Sequence, residues 1–211
     1  MTDDIKKYPV SAPGVDKVLK SIYKDNPTPA LENIFDAFKY CDFNNLKVVW
    51  IGQDPYPQKG VATGIAFANK KDTKIISPSL QVLKDSAFKY LTHSNKDAKF
   101  DVTLESWERQ GVLMLNSSLT TRTGSIGAHT MIWRPVISNF ISKLSWIKPD
   151  LVYVLSGGIA NSFKPYITDS LGVVSTVHPS FCVRTNTPFP DVFNEVNNIL
   201  SKAGKDKIIW I

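Results

Sequence analysis

The chain has 211 residues, of which 43% are hydrophobic, enough for one domain with a sizeable core. Its net charge of +6 favours polyanionic partners, because each phosphate contact releases counterions. No apolar run comes near the roughly 18 residues of a membrane-spanning helix, and the acidic start at 1–4 predicts no secretory signal. Two cysteines, Cys41 and Cys182, give no disulfide framework and favour a reducing compartment.

The first 45 residues predict helices. Two groups of apolar residues recur at helical spacing, separated by prolines at 27 and 29. The groups are Val15, Val18, Leu19, Ile22 and Tyr23, then Leu31, Ile34, Phe35 and Phe38. This N-terminal helical segment precedes a region of different pattern.

Short apolar runs at 46–51, 112–115, 151–155 and 173–177 are typical of buried parallel strands. Helical patterns follow at 80–91, 134–147, 159–167 and about 191–203, before a short terminal strand at 208–211. Strands that alternate with helices predict an α/β fold with a central four-stranded, mostly parallel sheet flanked by helices. We therefore predict one domain over 1–211, with its core at 46–211.

Polar residues follow each of the four predicted strands. They are Gln53 and Asp54, then Asn116 with Ser117 and Ser118, then Ser156 with Gly157 and Gly158, and last His178 with Pro179 and Ser180. Ligands bind outside the carboxyl ends of the strands in open α/β sheets. We expect one site to collect an acid, an amide, a glycine turn and an imidazole.

Each candidate side chain has two interpretations. Asp54 is a general base or electrostatic stabiliser, or only shapes an Asp-Pro turn. Asn116 reads a ligand edge or makes a local hydrogen bond, and His178 donates to an oxyanion or is structural. Phe67 stacks on a base or belongs to the core, and Tyr56 closes a pocket or covers the turn.

The pair Gly157 and Gly158 either holds an anion at a helix N-terminus or forms a plain turn. The sequence has no GxGxxG and no GxxxxGK[ST], so no nucleotide cofactor is predicted. No His, Cys and carboxylate cluster at ligand spacing predicts a metal site. We expect no cofactor and no metal.

Five segments in order carry a family resemblance. They are Gly52-Gln53-Asp54-Pro55-Tyr56, Gly64-Ile65-Ala66-Phe67, Ser77-Pro78-Ser79-Leu80, the stretch 111–120, and the stretch 174–180. They resemble the water-activating motif, uracil-stacking segment, phosphate loop, uracil-reading strand and His-Pro-Ser loop of family 1 uracil-DNA glycosylases. The similarity covers roughly residues 46–211 and implies a uracil-DNA glycosylase-like fold with its catalytic core there.

The resemblance implies a DNA repair glycosylase of the base-excision type. Such an enzyme flips uracil out of DNA and hydrolyses the N-glycosidic bond of deoxyuridine, which leaves an abasic site. By the same resemblance, Asp54 orients the attacking water and stabilises a cationic sugar, and His178 bonds the developing negative charge on the base. No second carboxylate sits in a matching motif, consistent with a leaving group that departs as an anion.

Further roles follow from the resemblance alone. Phe67 stacks on uracil, Asn116 reads its polar edge, and Tyr56 occupies the space of a thymine methyl. Gln53 supports the pocket through its backbone. The DNA-contacting set holds flanking phosphates or fills the vacated base stack. Its members are Pro57, Ser79, Gly157, Gly158, Ser180, Phe181, Cys182 and Arg184.

The chain departs from the family pattern at several of these positions. Pro57 replaces a usual histidine, Ser156 a tryptophan and Gly158 a serine, which puts phosphate contacts in doubt. Phe181 and Cys182 stand where the family has a proline and then an intercalating leucine. Because Cys182 is small, one of Phe181, Val183 or Arg184 is expected to fill the gap. These changes indicate a divergent member, for which a viral or phage source is one interpretation.

The expected partner is uracil-containing DNA, single- or double-stranded. A protein inhibitor of glycosylases or replication proteins are further candidates, and we expect a monomer without membrane contact. The predicted location is the cytoplasm of a bacterium or a viral host, or the nucleus of a eukaryote. Two other functions stay open: a non-enzymatic DNA-binding or replication-accessory protein that kept the fold, and a small-molecule-binding doubly wound protein.

Overall fold

The computed structural model describes residues 14–91 and 99–211. Residues 1–13 of the predicted helical segment, and His93, lie outside the described residues. The α-helices are α1 Val15–Ile22, α2 Pro78–Leu91, α3 Glu105–Glu108, α4 Thr130–Ile147, α5 Gly157–Asn161, α6 Pro179–Thr185 and α7 Val192–Lys202. The strands are β1 Pro27–Thr28, β2 Val48–Gly52, β3 Val112–Asn116, β4 Thr121–Arg122, β5 Val152–Ser156 and β6 Gly172–Thr176.

Four strands form the central sheet in the order β3-β2-β5-β6, and each neighbouring pair is parallel. Every residue of β2, β3 and β5 is buried, as their continuous apolar runs require. The register pairs Gly52 with Asn116, so the ends of β2 and β3 lie side by side. The predicted four-stranded parallel α/β sheet is confirmed.

Two hydrophobic clusters cover the two faces of the sheet. Alternation along β2 directs Val48 and Trp50 to one cluster, and Val49 and Ile51 to the other. Helices α2 and α7 pack on the first face, while α1 and α4 pack on the second. Burying each such large apolar side chain contributes about 1.5–3 kcal/mol, so both helix layers hold the sheet in place.

The N-terminal segment is only partly helical as predicted. Helix α1 matches the first apolar group, but the second group forms two 3-10 turns, Leu31–Asn33 and Asp36–Phe38. Phe35, with φ −108° and ψ 15°, leaves helical geometry and separates the turns. Ile34 is still buried in the core. The apolar spacing therefore predicted the burial of this residue correctly, but it predicted a continuous helix where two short turns occur.

The predicted terminal strand at 208–211 is wrong. Its extended backbone pairs with side-chain amides instead of a neighbouring strand. Asn197 accepts from the Ile208 N–H at 2.8 Å and donates to its carbonyl at 3.0 Å. Gln110 does the same for Ile209, at 2.8 and 2.9 Å. Strand-like composition cannot distinguish these two ways of satisfying the backbone.

Other elements also differ from the sequence-based expectation. The helix predicted at 159–167 is divided into α5 and a 3-10 turn, Lys164–Tyr166. The short helices α3 and α6 and the small antiparallel pair β1 and β4 were not predicted. In the described part of the chain, none of the helices has the length and apolar character needed to cross a membrane.

Candidate active site

A pocket of about 250 Å³ opens at the carboxyl ends of the central strands. It gathers residues that follow β2, β3 and β6 in the chain, together with others from the connecting loops. Nine predicted site residues line it: Gln53, Asp54, Tyr56, Pro57, Phe67, Ser79, Asn116, His178 and Ser180. The expectation that strand ends meet at one site therefore holds for the acid, the amide and the imidazole.

Asp54 lies in the extended turn after β2 and is partly buried. Its Oδ2 accepts a hydrogen bond from the backbone N–H of Gly127 at 2.5 Å. Burial raises the pKa of the Asp54 carboxyl above its usual value, while the hydrogen bond from the Gly127 N–H opposes that shift. The Gly127 N–H thus fixes the orientation of the carboxylate at the pocket.

Gly52 makes room for the two side chains that form the floor of the pocket. A Cβ at this position would lie 2.7 Å from Oδ1 of Asn116 and 3.0 Å from Cζ of Phe67. Such distances are below normal van der Waals contact, so residue 52 has to be glycine while Asn116 and Phe67 keep these positions. The glycine brings the amide and the aromatic ring together across the end of β2.

The segment that carries Phe67 is held at both sides. The Ala66 N–H donates to the Met114 carbonyl of β3 at 3.0 Å, and the Tyr56 hydroxyl donates to the Phe67 carbonyl at 2.8 Å. Phe67 itself has a left-handed backbone, φ 66°, which is uncommon for a bulky residue and marks a constrained position. Its ring, only 7% exposed, lies 5.5 Å from the His178 ring.

Asn116 is buried to 6% exposure at the end of β3. Within the described residues, its side-chain amide makes no hydrogen bond to the protein, although Ser117 and Ser118 beside it are bonded to Gln53 and Thr120. Its side chain lines the pocket. The Asn116 amide is therefore free to pair with a ligand in the pocket.

His178 caps the N-terminus of α6 and presents one defined ring nitrogen. Its Nδ1 accepts from the Ser180 N–H at 3.1 Å and lies 2.8 Å from the Ser180 hydroxyl. Because Nδ1 accepts, Nε2 carries the proton in the neutral ring. Burial, aided by the positive charge of Arg184, lowers the pKa of His178 to about 4. His178 is thus a neutral donor at neutral pH.

Two further loops approach the pocket. Ser79 lies in the first turn of α2, and the preceding Ser77 is tied to Asn69 by two hydrogen bonds of 2.7 Å. Gly157, with φ 89°, passes so close to His178 that a Cβ there would lie 2.8 Å from the histidine Cβ. Gly158 is exposed at the start of α5. Neither glycine lines the pocket, and Gly157 adjoins it through its contact with His178.

Comparison with known proteins assigns a family to this arrangement. Residues 38–201 match the model of the uracil DNA glycosylase superfamily. A uracil-DNA glycosylase of Francisella tularensis subsp. novicida is 39% identical over 187 residues, which are 86% of this chain and 83% of the relative. One from Campylobacter jejuni is 35% identical over 185 residues, 86% and 78% of the two chains.

The chain belongs to the uracil DNA glycosylase superfamily. A crystal structure of mimivirus uracil-DNA glycosylase has the same fold, with a TM-score of 0.81 at 24% identity over 94% of this chain and 81% of that one. The resemblance inferred from the five segments is confirmed at the level of family and fold.

In this superfamily member, the structure corrects one predicted DNA contact. The Cys182 side chain is 3% exposed and belongs to the core beneath α6, so it does not reach the surface. Its neighbours Phe181 and Val183 are 43% and 47% exposed. Arg184 donates to the Ser180 hydroxyl at 3.1 Å. Helix α6 sets these directions, and since that helix was not predicted, the burial of Cys182 was missed.

Ser156, which stands where the family usually has a tryptophan, is fully buried and accepts from Nε1 of Trp50 at 2.8 Å. It is therefore part of the core rather than the pocket. Ile126 and Gly127 were missed by the sequence analysis, although Ile126 lines the pocket with 70% exposure. Neither follows a central strand, and the only local signal was the pair of glycines at 124 and 127.

Within the described residues, no group of three or more His, Cys, Asp or Glu side chains is arranged to hold a metal ion. The polar side chains that line the pocket include a carboxylate, a neutral imidazole and an amide. This set can bind a planar polar ring and stabilise charge of both signs close to it.

Proposed function

We propose that this chain excises uracil from DNA by hydrolysing the N-glycosidic bond of deoxyuridine. The observation that carries the proposal is the convergence of Asp54, Asn116 and His178 in one pocket, from three separate strand ends. At about 250 Å³, the pocket is smaller than the roughly 300–1,000 Å³ of sites for drug-sized ligands, and so suits a single base. The family membership supports the same conclusion.

A base inside a duplex cannot reach such a pocket, so the uracil nucleotide has to be flipped out of the stack. The Phe67 ring then stacks on the base, and the Asn116 amide pairs with its polar edge. An amide oriented for uracil leaves donors or acceptors unpaired against cytosine, at roughly 1–3 kcal/mol each. Tyr56, which is fixed through its hydroxyl, limits the space for a thymine methyl.

Bond cleavage places negative charge on the departing base and positive charge on the sugar. His178 donates through Nε2 to the base oxygen that gains charge, and it does so without being protonated itself. A preorganised donor of this kind contributes on the order of 10²–10³ in rate. The Asp54 carboxylate stabilises the cationic sugar and orients the water that attacks it.

Phosphate contacts position the flanking strand. We propose that Ser79 and Ser180, which line the pocket, and the backbone of Gly157 and Gly158 bind phosphates on either side of the flipped nucleotide. We propose that Phe181, exposed on α6, fills the space left in the base stack.

The test is uracil release from single- and double-stranded oligonucleotides. We compare the wild-type chain with the double variant Asp54→Asn, His178→Leu and with Asp150→Asn, a matched control whose carboxylate pairs with Lys205 at the opposite end of β5. Release by the wild type and the control but not by the double variant supports the proposal. Release no faster than that of the double variant refutes it, and tight DNA binding without turnover would favour the non-enzymatic alternative.

A protein inhibitor is a further proposed partner. Structures of two variants of the mimivirus enzyme are complexes with UGI, and both share the fold of this chain, with TM-scores of 0.78 and 0.82. We expect UGI to inhibit this chain stoichiometrically by covering the pocket. Undiminished uracil release in excess UGI would contradict this.

We propose that the chain acts as one domain and as a monomer. The N-terminal residues Val18, Ile22 and Ile34 pack in the same cluster as β2, β3 and β5, which supports a single core. Light scattering coupled to size-exclusion chromatography measures the mass in solution. A mass of twice the 23.5 kDa of the chain would reject the monomer.

A further inference from the structure

The loop between β4 and α4 supports Asp54 from outside the turn that follows β2. Its Gly127 N–H donates to the Asp54 carboxylate, and its Gly124 N–H donates to the Pro57 carbonyl at 2.8 Å. Both glycines have left-handed backbones, with φ 79° at Gly124 and 74° at Gly127. The orientation of the Asp54 carboxylate therefore depends on the shape of this loop.

A single carboxylate in the N-terminal segment binds both ends of that loop. Asp25 accepts two hydrogen bonds from the Arg122 guanidinium, from Nε at 2.7 Å and Nη2 at 2.8 Å. Its Oδ2 also lies 2.9 Å from Nε2 of His129. Arg122 is in β4 and His129 is the N-cap residue of α4, so Asp25 connects the residues where the loop begins and ends.

The side chain of His129 is buried, and both of its ring nitrogens have hydrogen-bonding partners. His129 is fully buried, and its Nδ1 lies 2.9 Å from the Thr120 hydroxyl, which itself accepts from Nε1 of Trp133 at 2.7 Å. The Thr120 hydroxyl and the Asp25 carboxylate thus bind the two ring nitrogens of His129 and fix its position from both sides.

Contacts inside the loop carry this constraint to Gly127. The Thr121 hydroxyl donates to the Ser125 carbonyl at 2.6 Å and accepts from the Ala128 N–H at 3.2 Å. The Asn26 carbonyl, next to Asp25, accepts from both the backbone N–H and the hydroxyl of Thr123, each at 3.0 Å. Hydrogen bonds within the loop hold its shape, and hydrogen bonds to Asn26 attach it to the N-terminal segment.

We propose that Asp25 is a positioning residue for the reaction, which acts on Asp54 through the loop of residues 121–129. This inference rests on the proposed glycosylase function. Asp25 lies before residue 38, where the match to the family model begins. The ion pair with the exposed Arg122 contributes little to folding. Loss of the Asp25 partner of the buried His129 adds a stability cost, and misplacing a reacting group by about 1 Å costs on the order of 100-fold in rate. We therefore expect Asp25→Ala to lower turnover beyond any loss of folded protein.

The first experiment measures kcat and KM for uracil release by the wild type, Asp25→Ala and the control Asp150→Ala. Asp150 is likewise a partly exposed aspartate, and it pairs with Lys205. It precedes the first residue of β5, so it lies at the end of the strands opposite the pocket. We expect Asp25→Ala to lower kcat about 10–100-fold and to change KM less than about 3-fold. Asp150→Ala should change neither. Unchanged kcat, or a change in KM alone, would overturn the proposal.

A double-mutant cycle shows whether Asp25 acts through Asp54. In an Asp54→Asn background, the further change Asp25→Ala should cost less than about 3-fold, because the group that it positions is already lost. The same fold loss in both backgrounds would reject the route through Asp54. Asp25→Asn, which keeps an oxygen acceptor for His129, should recover part of the rate and covers the case in which Asp25→Ala does not fold.

Hydrogen exchange followed by mass spectrometry gives a readout that needs no glycosylase activity. Peptides that cover 121–129 should exchange faster in Asp25→Ala than in the wild type, and at the wild-type rate in Asp150→Ala. If the wild type releases no uracil, the proposed function is wrong. The exchange rates of the 121–129 peptides still show whether Asp25 stabilises the loop. Identical exchange in the wild type and Asp25→Ala would overturn the inference whatever the activity.

Discussion

The backbone N–H of Ser180 donates to Nδ1 of His178 at 3.1 Å, and this contact decides which ring nitrogen carries a proton. Only Nε2 is left as a donor, and burial keeps the ring neutral. The same turn that begins α6 therefore orients a catalytic candidate and fixes its tautomer.

This relationship predicts a neutral His178 at pH 7. Since its pKa is lowered to about 4, the ring should stay neutral down to about pH 5 and carry its proton on Nε2. ¹⁵N NMR of the labelled imidazole distinguishes this tautomer from the Nδ1–H form and from imidazolium. His178→Leu should lower uracil release on the order of 10²–10³-fold. An imidazolium signal at pH 7 would contradict the role of a neutral donor.

Gly52→Ala should impair catalysis more than folding. The added methyl would lie 2.7 Å from Oδ1 of Asn116 and 3.0 Å from Phe67, so both side chains must move. We expect uracil release to fall on the order of 100-fold, with a stability loss of about 1–3 kcal/mol. Gly172→Ala is the control, because its methyl meets only the flexible end of Ile199 at 3.0 Å. Equal activities of the two variants would refute the close-contact argument.

Tyr56→Ala should admit thymine to the pocket. The ring lines the pocket and is fixed by the hydrogen bond of its hydroxyl to the Phe67 carbonyl. We expect no thymine release by the wild type and measurable release by Tyr56→Ala, detected by chromatography of the free bases. Tyr56→Phe keeps the ring and loses only the hydrogen bond, so it should still exclude thymine. Unchanged selectivity in Tyr56→Ala would place the specificity elsewhere.

Phe181→Ala should slow uracil release from duplex DNA more than from single strands, by about 10-fold in the ratio of the two rates. The side chain is exposed beside the pocket, and filling the vacated stack offsets an unstacking cost of a few kcal/mol. Val183→Ala tests the other exposed apolar residue of α6. Cys182→Ala should lower the melting temperature without changing the ratio, because Cys182 is in the core. A changed ratio in Val183→Ala alone would assign the wedge to Val183.

Glu108→Gln should stabilise the protein at alkaline pH. Glu108 is fully buried on α3, and burial raises its pKa from the usual 4.5 to about 10. Between these pH values the folded state binds more protons than the unfolded state, so the free energy of unfolding falls as pH rises, by up to about 1.4 kcal/mol per unit. The pH dependence of the melting temperature, measured by circular dichroism, should be flatter in Glu108→Gln.

Glu195→Gln serves as the control for that measurement. Glu195 is an exposed carboxylate on a different helix, α7. Its replacement should leave the alkaline slope of the wild type intact. Parallel slopes in the wild type and Glu108→Gln would show that Glu108 does not retain its proton in the folded state.

Much of the site was predictable because its signals are local. A buried parallel strand appears as a continuous apolar run, and the polar residues that follow it, such as Asp54, Asn116 and His178, must lie at its carboxyl end. The sheet and the gathering of these three residues follow from that rule. The terminal segment at 208–211 shows its limit, since its composition fits a strand while Asn197 and Gln110 satisfy its backbone.

The sequence by itself determined the α/β class, the four central strands and the polar residues at their ends, because these depend on neighbours along the chain. Only the tertiary structure decided that Cys182 is buried, that Gly127 bonds Asp54 across 73 positions, and that Asp25 binds Arg122 across 97. Such contacts depend on the direction of each loop and the phase of each helix. Both are set by packing against distant residues, which no local pattern records.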